Sequence, residues 1–462
     1  MKLAILGGGG MRMPLFLRHV LLNDPTLFQE VRLLEPSAQR RRTVGALCEG
    51  IARRMDRASD VVVTDDPYLA LDGVDFVFSA VRVGGDGGRV IDEQVALGHG
   101  LVGQETTGAG GAAMALRTIP VLLEYCAMIR EVAPRATVLN FTNPAGIVTE
   151  ALTRHGGVSV LGICDTPSEL VAGLARHLGA PRSSVSACYG GLNHLGWVTA
   201  LRLGGEDRLE DVIRDYEQLQ ELGGHFGVFE PGTIRRIGAI PSEYVAYYFY
   251  PDRYKQRVAE AGTSRGKQVA LLNDQILTAL SKHLAAGDFD ASWRHYEWTM
   301  RRRSASYMAL ESGERSLDDS GADCSSEGAR GEEGDTLGGY EAVALQVIAA
   351  LSGGRESVTT LNVANGGALS FLDADSVVEV PCRLSAGGIE RLVGAELPRH
   401  ARALVMQVKE YELALVRAAV EGSLEGAEWA LALNPLVSGV TAARSLLAGY
   451  RREHGDTLAY LN

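Results

Sequence analysis

The chain has 462 residues, 46% of them hydrophobic and 22% charged, a composition that builds a large core and excludes a disordered or collagen-like chain. At about 100–200 residues per domain, its length implies two or three folding units. The 57 acidic residues against 45 Lys and Arg leave a net charge of −12 with no basic block, so the expected partner is a small molecule, with no nucleic acid and no membrane.

In chain order, the first 165 residues alternate apolar runs at 3–6, 31–34, 61–63, 76–80, 137–141 and 158–163 with helical patterns at 14–22, 37–55, 89–97 and 112–132. Runs this short, closed by Gly, Pro, Asp or Asn, read as buried strands. Six strands alternating with helices predict an α/β domain over 1–165, a Rossmann-type doubly wound parallel sheet whose ligands sit beyond the carboxyl ends of its strands.

From 166 to 462 the pattern predicts a mainly helical α+β domain for substrate, metal and oligomer contacts. Helices are expected at 168–177, 209–222, 271–284, 342–350 and 397–433, and strands at 185–189, 197–203, 357–363 and 377–380. Residues Tyr244, Tyr247, Tyr248, Phe249 and Tyr250 have spacings suited to one helical face. Residues 311–335 carry nine acids, from Glu311 to Asp335, against Arg315 and Arg330. We expect a solvated acidic loop there, remote from any catalysis, with a lid over the active site as the alternative.

The N-terminal MKLAILGGGG is too short an apolar run for a signal peptide or a membrane span. Six cysteines (Cys48, Cys126, Cys164, Cys188, Cys324 and Cys382) lack paired spacing. Free thiols in a reducing, cytoplasmic setting are expected.

Glycine makes up 55 of the 462 residues, about 12% where ~7% is usual. It clusters at 7–10, 84–88 and 103–111, as it does where backbone approaches something closely. At the first cluster a strand runs into Gly7, Gly8, Gly9 and Gly10 and then a helix start, which presents free N–H groups to a pyrophosphate. The glycine fingerprint is incomplete, since Arg12 or Met13 stands where a third glycine belongs. Glu35 ends the second strand, where a carboxylate bonds ribose hydroxyls and favours NAD over NADP. A phosphate-free turn with a surface Glu35 is the alternative.

Asn140-Phe141-Thr142-Asn143-Pro144 ends the fifth strand, and its amides either cap the next helix or face the cleft. Cys164-Asp165-Thr166-Pro167 ends the sixth, and Gly191-Leu192-Asn193-His194 follows the next one. A thiolate and an imidazole from neighbouring strand ends can share a divalent metal with two substrate oxygens. Buried structural residues fit the same spacing, which has no CxxC or HxxxH.

Taken as an ordered set, these motifs resemble glycoside hydrolase family 4, above all its 6-phospho-β-glucosidases. The set also includes Arg82-Val83-Gly84-Gly85, Asp92-Glu93, Gly103-Gln104-Glu105-Thr106-Thr107-Gly108 and Ile240-Pro241-Ser242-Glu243-Tyr244. It runs from residue 1 to about 250, with Leu361-Asn362-Val363 and Val380-Pro381-Cys382 similar to the family's later region.

The resemblance implies a glycosidase dependent on NAD and a divalent metal, normally Mn²⁺, outside the usual two-carboxylate scheme. The implied sequence is C3 oxidation by NAD⁺, removal of the acidified C2 proton, elimination at C1, water addition and return of the hydride. It implies Cys164 and His194 as metal ligands, Tyr244 as base, and Asp165 as proton donor to the leaving oxygen, or else a helix cap. Gly7, Gly8, Gly9, Gly10, Glu35 and Arg82 fall to the cofactor. Arg89, Glu105, Asn143, Asn193 and Arg303 fall to a phosphorylated disaccharide or aryl glucoside, and the assembly is expected to be a homodimer or homotetramer.

The chain departs from the family at several points. Met11 to Pro14 replaces small polar residues and Tyr-Thr-Pro, Ser242 stands where a second Cys is common, and Arg301-Arg302-Arg303-Ser304 replaces Lys-Arg-Gly-Gly. After the cysteine, phospho-β members more often carry Asn and phospho-α members Asp; this chain has Asp165. Competing readings are an enzyme for α- or non-phosphorylated glycosides, an NAD-dependent 2-hydroxyacid dehydrogenase, and a catalytically dead NAD or sugar-phosphate sensor.

Overall fold

The computed structural model describes residues 1–23, 27–57, 60–313, 339–392 and 395–462. Six strands of the first half, β1 (Lys2–Leu6), β2 (Glu30–Leu34), β3 (Val61–Thr64), β4 (Phe76–Ser79), β5 (Thr137–Asn140) and β6 (Ser159–Ile163), are parallel in the order β3-β2-β1-β4-β5-β6. Successive side chains alternate faces. Leu3, Ile5, Leu33 and Phe78 join one apolar cluster and Ala4, Leu6, Leu34 and Val77 another. Burial on both faces is why these strands are continuous apolar runs. The Rossmann-type sheet expected from the sequence is present.

The sheet does not end at β6. The later strands are β7 (Val185–Leu192), β8 (Leu195–Leu203), β9 (Glu206–Asp207), β10 (Ile240–Pro241), β11 (Ser357–Ala364), β12 (Val377–Ser385) and β13 (Gly388–Arg391). β11 pairs antiparallel with β6, setting Leu361 against Ile163 and Asn362 against Gly162. The order then continues through β12, β7, β8 and β10. One thirteen-stranded sheet therefore spans both halves. At the seam only glycine fits position 162, because a Cβ there would collide with Thr149 Oγ1 and lie 2.7 Å from Asn362 Cβ.

Several helices differ from expectation. The 37–55 pattern is three pieces, Ala38–Arg40, a π-helical turn Arg41–Gly45, and Ala46–Arg54, with Thr43 Oγ1 donating to Gln39 O at 2.9 Å inside the turn. The 209–222 pattern breaks at Asp215 into Leu209–Arg214 and Tyr216–Gln220. The 397–433 pattern breaks at Gly422, φ +69°, into Arg399–Glu421 and Leu424–Leu433; a left-handed glycine is the usual end of a helix. Helices Pro251–Ala261, Phe289–Ala305 and Val440–His454 were not expected. The second of these buries Ser292, Tyr296, Thr299 and Met300, so its inward face has no continuous apolar stripe to read.

Helix Gly108–Val132 is long and apolar enough to cross a membrane, but 61% of its most apolar window is buried, against Gly85–Gly98 and Arg399–Glu421 among others. It carries a buried cation. Arg117 forms two bonds to Asp92, at 2.5 and 2.7 Å, and His454 Nε2 lies 2.8 Å from the same carboxylate. This cluster ties the C-terminal helix to the helix that bears Arg89. Removing one partner strands the other charge in the interior. Arg117→Met is expected to destabilise the fold by about 3–5 kcal/mol, and Arg117→Met combined with Asp92→Leu by less. Melting temperatures of the two variants check this; equal losses would contradict it.

Candidate functional site

The carboxyl ends of β4, β5 and β6 open into a cavity of about 300 Å³, walled opposite by the β7–β8 turn, residues 244–254 and helices Arg265–Ala285 and Phe289–Ala305. Ligands of open α/β sheets bind at such ends. Arg82, Arg89, Glu105, Asn143, Cys164, Asp165, His194, Tyr244 and Arg303 all line the cavity. Residues separated by up to 221 positions in the chain thus meet in one chamber.

The glycine loop lies beside it, and Arg12 at its end reaches the lining. Gly7 has φ +84°, and a Cβ there would lie 2.6 Å from Ala80 O; at Gly8 it would lie 2.6 Å from Leu33 Cβ. Backbone packed this closely on β2 and β4 tolerates no side chain. Glu35 Oε2 accepts from Gly9 N at 3.0 Å and Oε1 from Ser37 N at 2.8 Å. The acid at the end of β2 is therefore fixed against the loop that precedes helix Met13–Asn23. A loop without Cβ atoms before a helix N-terminus fits a dinucleotide's phosphates. Gly10 is less constrained, since a Cβ there would meet nothing closer than 3.2 Å.

Cys164 Sγ and His194 Nε2 are 3.7 Å apart. His194 occupies the two-residue turn between β7 and β8 with φ +62°, a left-handed conformation rare outside glycine. The ring of Tyr244 stacks on it at 3.6 Å and 1°. Burial pushes the imidazole down to about 4, against the nearby Glu243 and Glu105 charges, so it is neutral and able to ligate at physiological pH. Burial, with Glu379 and Asp165, raises the Cys164 thiol well above its ordinary value. Among the described residues no three or more His, Cys, Asp and Glu side chains are grouped to hold a metal unaided. The thiol and imidazole nevertheless suit a transition metal whose remaining positions are taken by oxygen ligands from a substrate.

Asn193, the other turn residue, was expected at the substrate but is directed elsewhere. Its Nδ2 donates to Glu379 Oε1 at 2.9 Å, and the same carboxylate accepts from Asn362 Nδ2 at 3.0 Å and Tyr189 OH at 2.8 Å. Adjacent turn residues point to different sides, and Asn193 serves the buried Glu379 cluster.

Around the chamber, buried charges are arranged unevenly. Glu105 pairs with Arg82 and, at 2.7 Å, with Arg89, which also holds Glu93 at 2.8 Å. Burial alone would raise the Glu105 carboxyl; Arg82 and Arg89 outweigh this and bring it to about 2. Arg265 donates to Ser306 Oγ and Arg303 O, both at 2.8 Å, and Arg303 to Asn273 Oδ1 at 3.2 Å. Among the described residues neither arginine has a carboxylate partner. Burial and then Arg12, Arg82, Arg89 and Arg265 push the Arg303 guanidinium down to about 9. A concentration of half-buried positive charge of this kind is relieved by an anion.

Asp165 makes no capping bond to helix Thr166–His177, although it stands at the cap position. Burial, aided by Glu169 and opposed by Arg12, lifts its carboxyl to about 6. Asn140 braces the loop below instead of facing the cavity, donating to Thr142 O, Ala145 O and Thr149 Oγ1.

Reading the sequence missed Arg12, Arg265 and Tyr307 in the lining, and His225 behind it. The hydroxyls of Tyr244 and Tyr307 are 3.1 Å apart, and Tyr307 donates to Glu243 Oε1 at 2.9 Å. Glu243 Oε2 pairs with His225 Nδ1 at 2.9 Å, and His225 Nε2 with Glu169 at 3.1 Å. The only available cue was Ser264, whose side chain accepts from Lys267 N to cap the helix that Arg265 begins. Glu311 corrects the acidic-loop expectation. It lines the cavity and accepts from Tyr247 OH at 2.6 Å, so it is not part of a solvated loop; residues 314–335 lie outside the described residues.

The chain matches the family description "Family 4 glycosyl hydrolase" over residues 2–180 and "Family 4 glycosyl hydrolase C-terminal domain" over 189–437. It is 29% identical over 455 residues to a probable 6-phospho-beta-glucosidase of Bacillus subtilis, covering 97% of this chain and 95% of the relative. It is 27% identical over 464 residues to a phospho-alpha-glucosidase of Clostridium acetobutylicum, covering 96% of each. A 6-phospho-beta glucosidase from Thermotoga maritima, solved with manganese, NAD⁺ and glucose-6-phosphate, superposes with a TM-score of 0.78 at 25% identity over 98% of each chain. A 6-phospho-alpha-glucosidase from gut microorganisms, in complex with NAD and Mn²⁺, gives 0.75 at 25% identity over 99% of this chain and 98% of that one.

The His225 pairing carries a pH signature. Burial lowers its proton affinity, but Glu243 and Glu169 raise it from 6.5 to about 10. A value raised on folding stabilises the protein fully below 6.5 and loses that contribution as pH rises towards 10. The melting temperature of the wild type is expected to exceed that of His225→Gln at neutral pH, with the gap narrowing steadily up to pH ~10. A constant gap would contradict the assignment.

Proposed function

The chain belongs to glycosyl hydrolase family 4, and we propose from this premise that it hydrolyses 6-phospho-β-glucosides with NAD and a divalent metal, manganese, as cofactors. The observation that carries the reading is one chamber in which a thiol–imidazole pair, a tyrosine stacked on that imidazole, and two arginines without carboxylate partners among the described residues face the same space. The glycine loop at 7–10 with Glu35 would hold NAD, which would supply hydride chemistry at sugar C3, and Cys164 with His194 would hold the metal, which would supply Lewis acidity at the sugar oxygens.

The chain's own residues do the rest. Arg303 and Arg265 hold the 6-phosphate as paired guanidinium donors, and Asn143 and Glu105 orient the sugar hydroxyls from the wall they line. Arg82, paired with Glu105, serves the cofactor. Burial and the Glu243 charge hold the Tyr244 hydroxyl protonated at rest; it takes the C2 proton as a phenolate, its own proton having passed through the Tyr307 hydroxyl to the Glu243 carboxylate. The Tyr244 oxygen is held by Tyr307, and its ring cannot turn because it lies flat on His194. Asp165, kept protonated to about 6, delivers a proton to the leaving C1 oxygen.

The α-anomer is the second reading, favoured by Asp165 after the cysteine. A panel of p-nitrophenyl α- and β-glucosides, each with and without 6-phosphate, decides between them. Cleavage of the 6-phospho-β substrate, lost on omitting either NAD⁺ or Mn²⁺, is the expected result. Activity undiminished without both, or unaffected by the phosphate, would overturn the proposal. Tyr244→Phe should lower kcat by about 10²–10⁴-fold. Arg303→Ala should mainly raise KM for the phosphorylated substrate, because it removes binding common to ground and transition states.

A further inference from the structure

The third glycine cluster holds a short loop hard against a helix start. A Cβ on Gly110 would collide with Gln104 O, and one on Gly111 would lie 2.5 Å from Thr106 C and O. The loop so held ends beside His194. Thr106 Oγ1 is 2.8 Å from His194 Nδ1 and 2.9 Å from Gln104 Oε1. The orientation of the Gln104 amide is set by two backbone donors, Thr106 N at 2.6 Å and Thr107 N at 2.8 Å, which both point at Oε1. That oxygen can only accept.

A hydroxyl has one proton to give, and Thr106 gives it to Gln104. The Thr106 oxygen therefore offers His194 a lone pair, and Nδ1 must carry a proton to meet it. The other nitrogen, Nε2, is left with its lone pair directed towards Cys164 Sγ at 3.7 Å. Stacking on Tyr244 fixes the ring plane.

We propose that Gln104 and Thr106 are positioning residues that lock His194 in the Nδ1–H tautomer, so that Nε2 is presented as a ready ligand beside Cys164. This rests on the metal reading above and extends it to two residues outside the ligand set. Partners that orient a ligating imidazole commonly change metal affinity by about 10–100-fold.

The test uses the full chain labelled with ¹⁵N-histidine. In metal-free wild type, long-range ¹H–¹⁵N correlations of His194, assigned by their loss in His194→Gln, are expected to show Nδ1 protonated and Nε2 bare. Thr106→Val keeps the shape and removes the hydroxyl. It should lose the single tautomer and bind Mn²⁺ alone about 10–100-fold more weakly by EPR of the free ion, whereas Thr106→Ser should match wild type in both. An Nε2–H tautomer in wild type, or unchanged Mn²⁺ affinity in Thr106→Val, would overturn the inference. Should wild type bind no Mn²⁺, the metal reading fails, and the wild-type spectrum alone still decides the tautomer. If Thr106→Val does not fold, the wild-type spectrum and Thr106→Ser remain decisive.

Discussion

The antiparallel pairing of β6 with β11 is the constraint on which the site depends. A parallel sheet that stopped at β6 would leave Cys164 at an edge, facing whatever the second half of the chain happened to place there. The sheet instead carries on through β11 and β12 to β7, where Glu379 opposes Gly191, and the next turn delivers His194. Backbone hydrogen bonds thus set the spacing between a thiol and an imidazole 30 residues apart in the chain. Rigid elements position groups more closely than loops do, and the glycine at 162 lets the seam close.

Charge is the second organising element. Glu105, Glu93 and Asp92 are each neutralised by a named arginine, so the helix Gly85–Gly98 and the loop before Gly108 are rigid and electrically quiet. Among the described residues, Arg303 and Arg265 break that rule. A folded protein bears the cost of half-buried cations without carboxylate partners when a ligand relieves it, and sugar phosphates supply the matching geometry. Elsewhere around the chamber carboxylates and cations are matched: Asp165 lies within reach of Arg12, and Glu169 and Glu243 both pair with His225.

How much of this was legible in the sequence follows from what each signal measures. The six parallel strands are buried on both faces and appear as plain apolar runs, so their order and the doubly wound sheet could be read directly. Cys164 and His194 were visible as separate motifs, but nothing in spacing reveals that three antiparallel strands bring them together. Asn193 was assigned to the substrate through the family resemblance, and a two-residue turn sends it and His194 to different places. Arg265, Tyr307 and His225 belong to segments with no motif, where the position of a side chain depends on helix packing. Thr106 and Gln104 stood inside a quoted motif, yet their connection to a histidine 88 positions away exists only in space. The acidic stretch misled in the other direction: its first residue, Glu311, shares composition with the rest but is half-buried and accepts a hydrogen bond from Tyr247.

The central claim is that Tyr244 works on a carbon-bound proton, which a two-carboxylate glycosidase never touches. Turnover of the phosphorylated glucoside in D₂O, with NMR of the glucose 6-phosphate formed, tests this directly. Deuterium is expected at C2 of the glucose 6-phosphate released. Product carrying only protium at C2, at full wild-type rate, would contradict the claim.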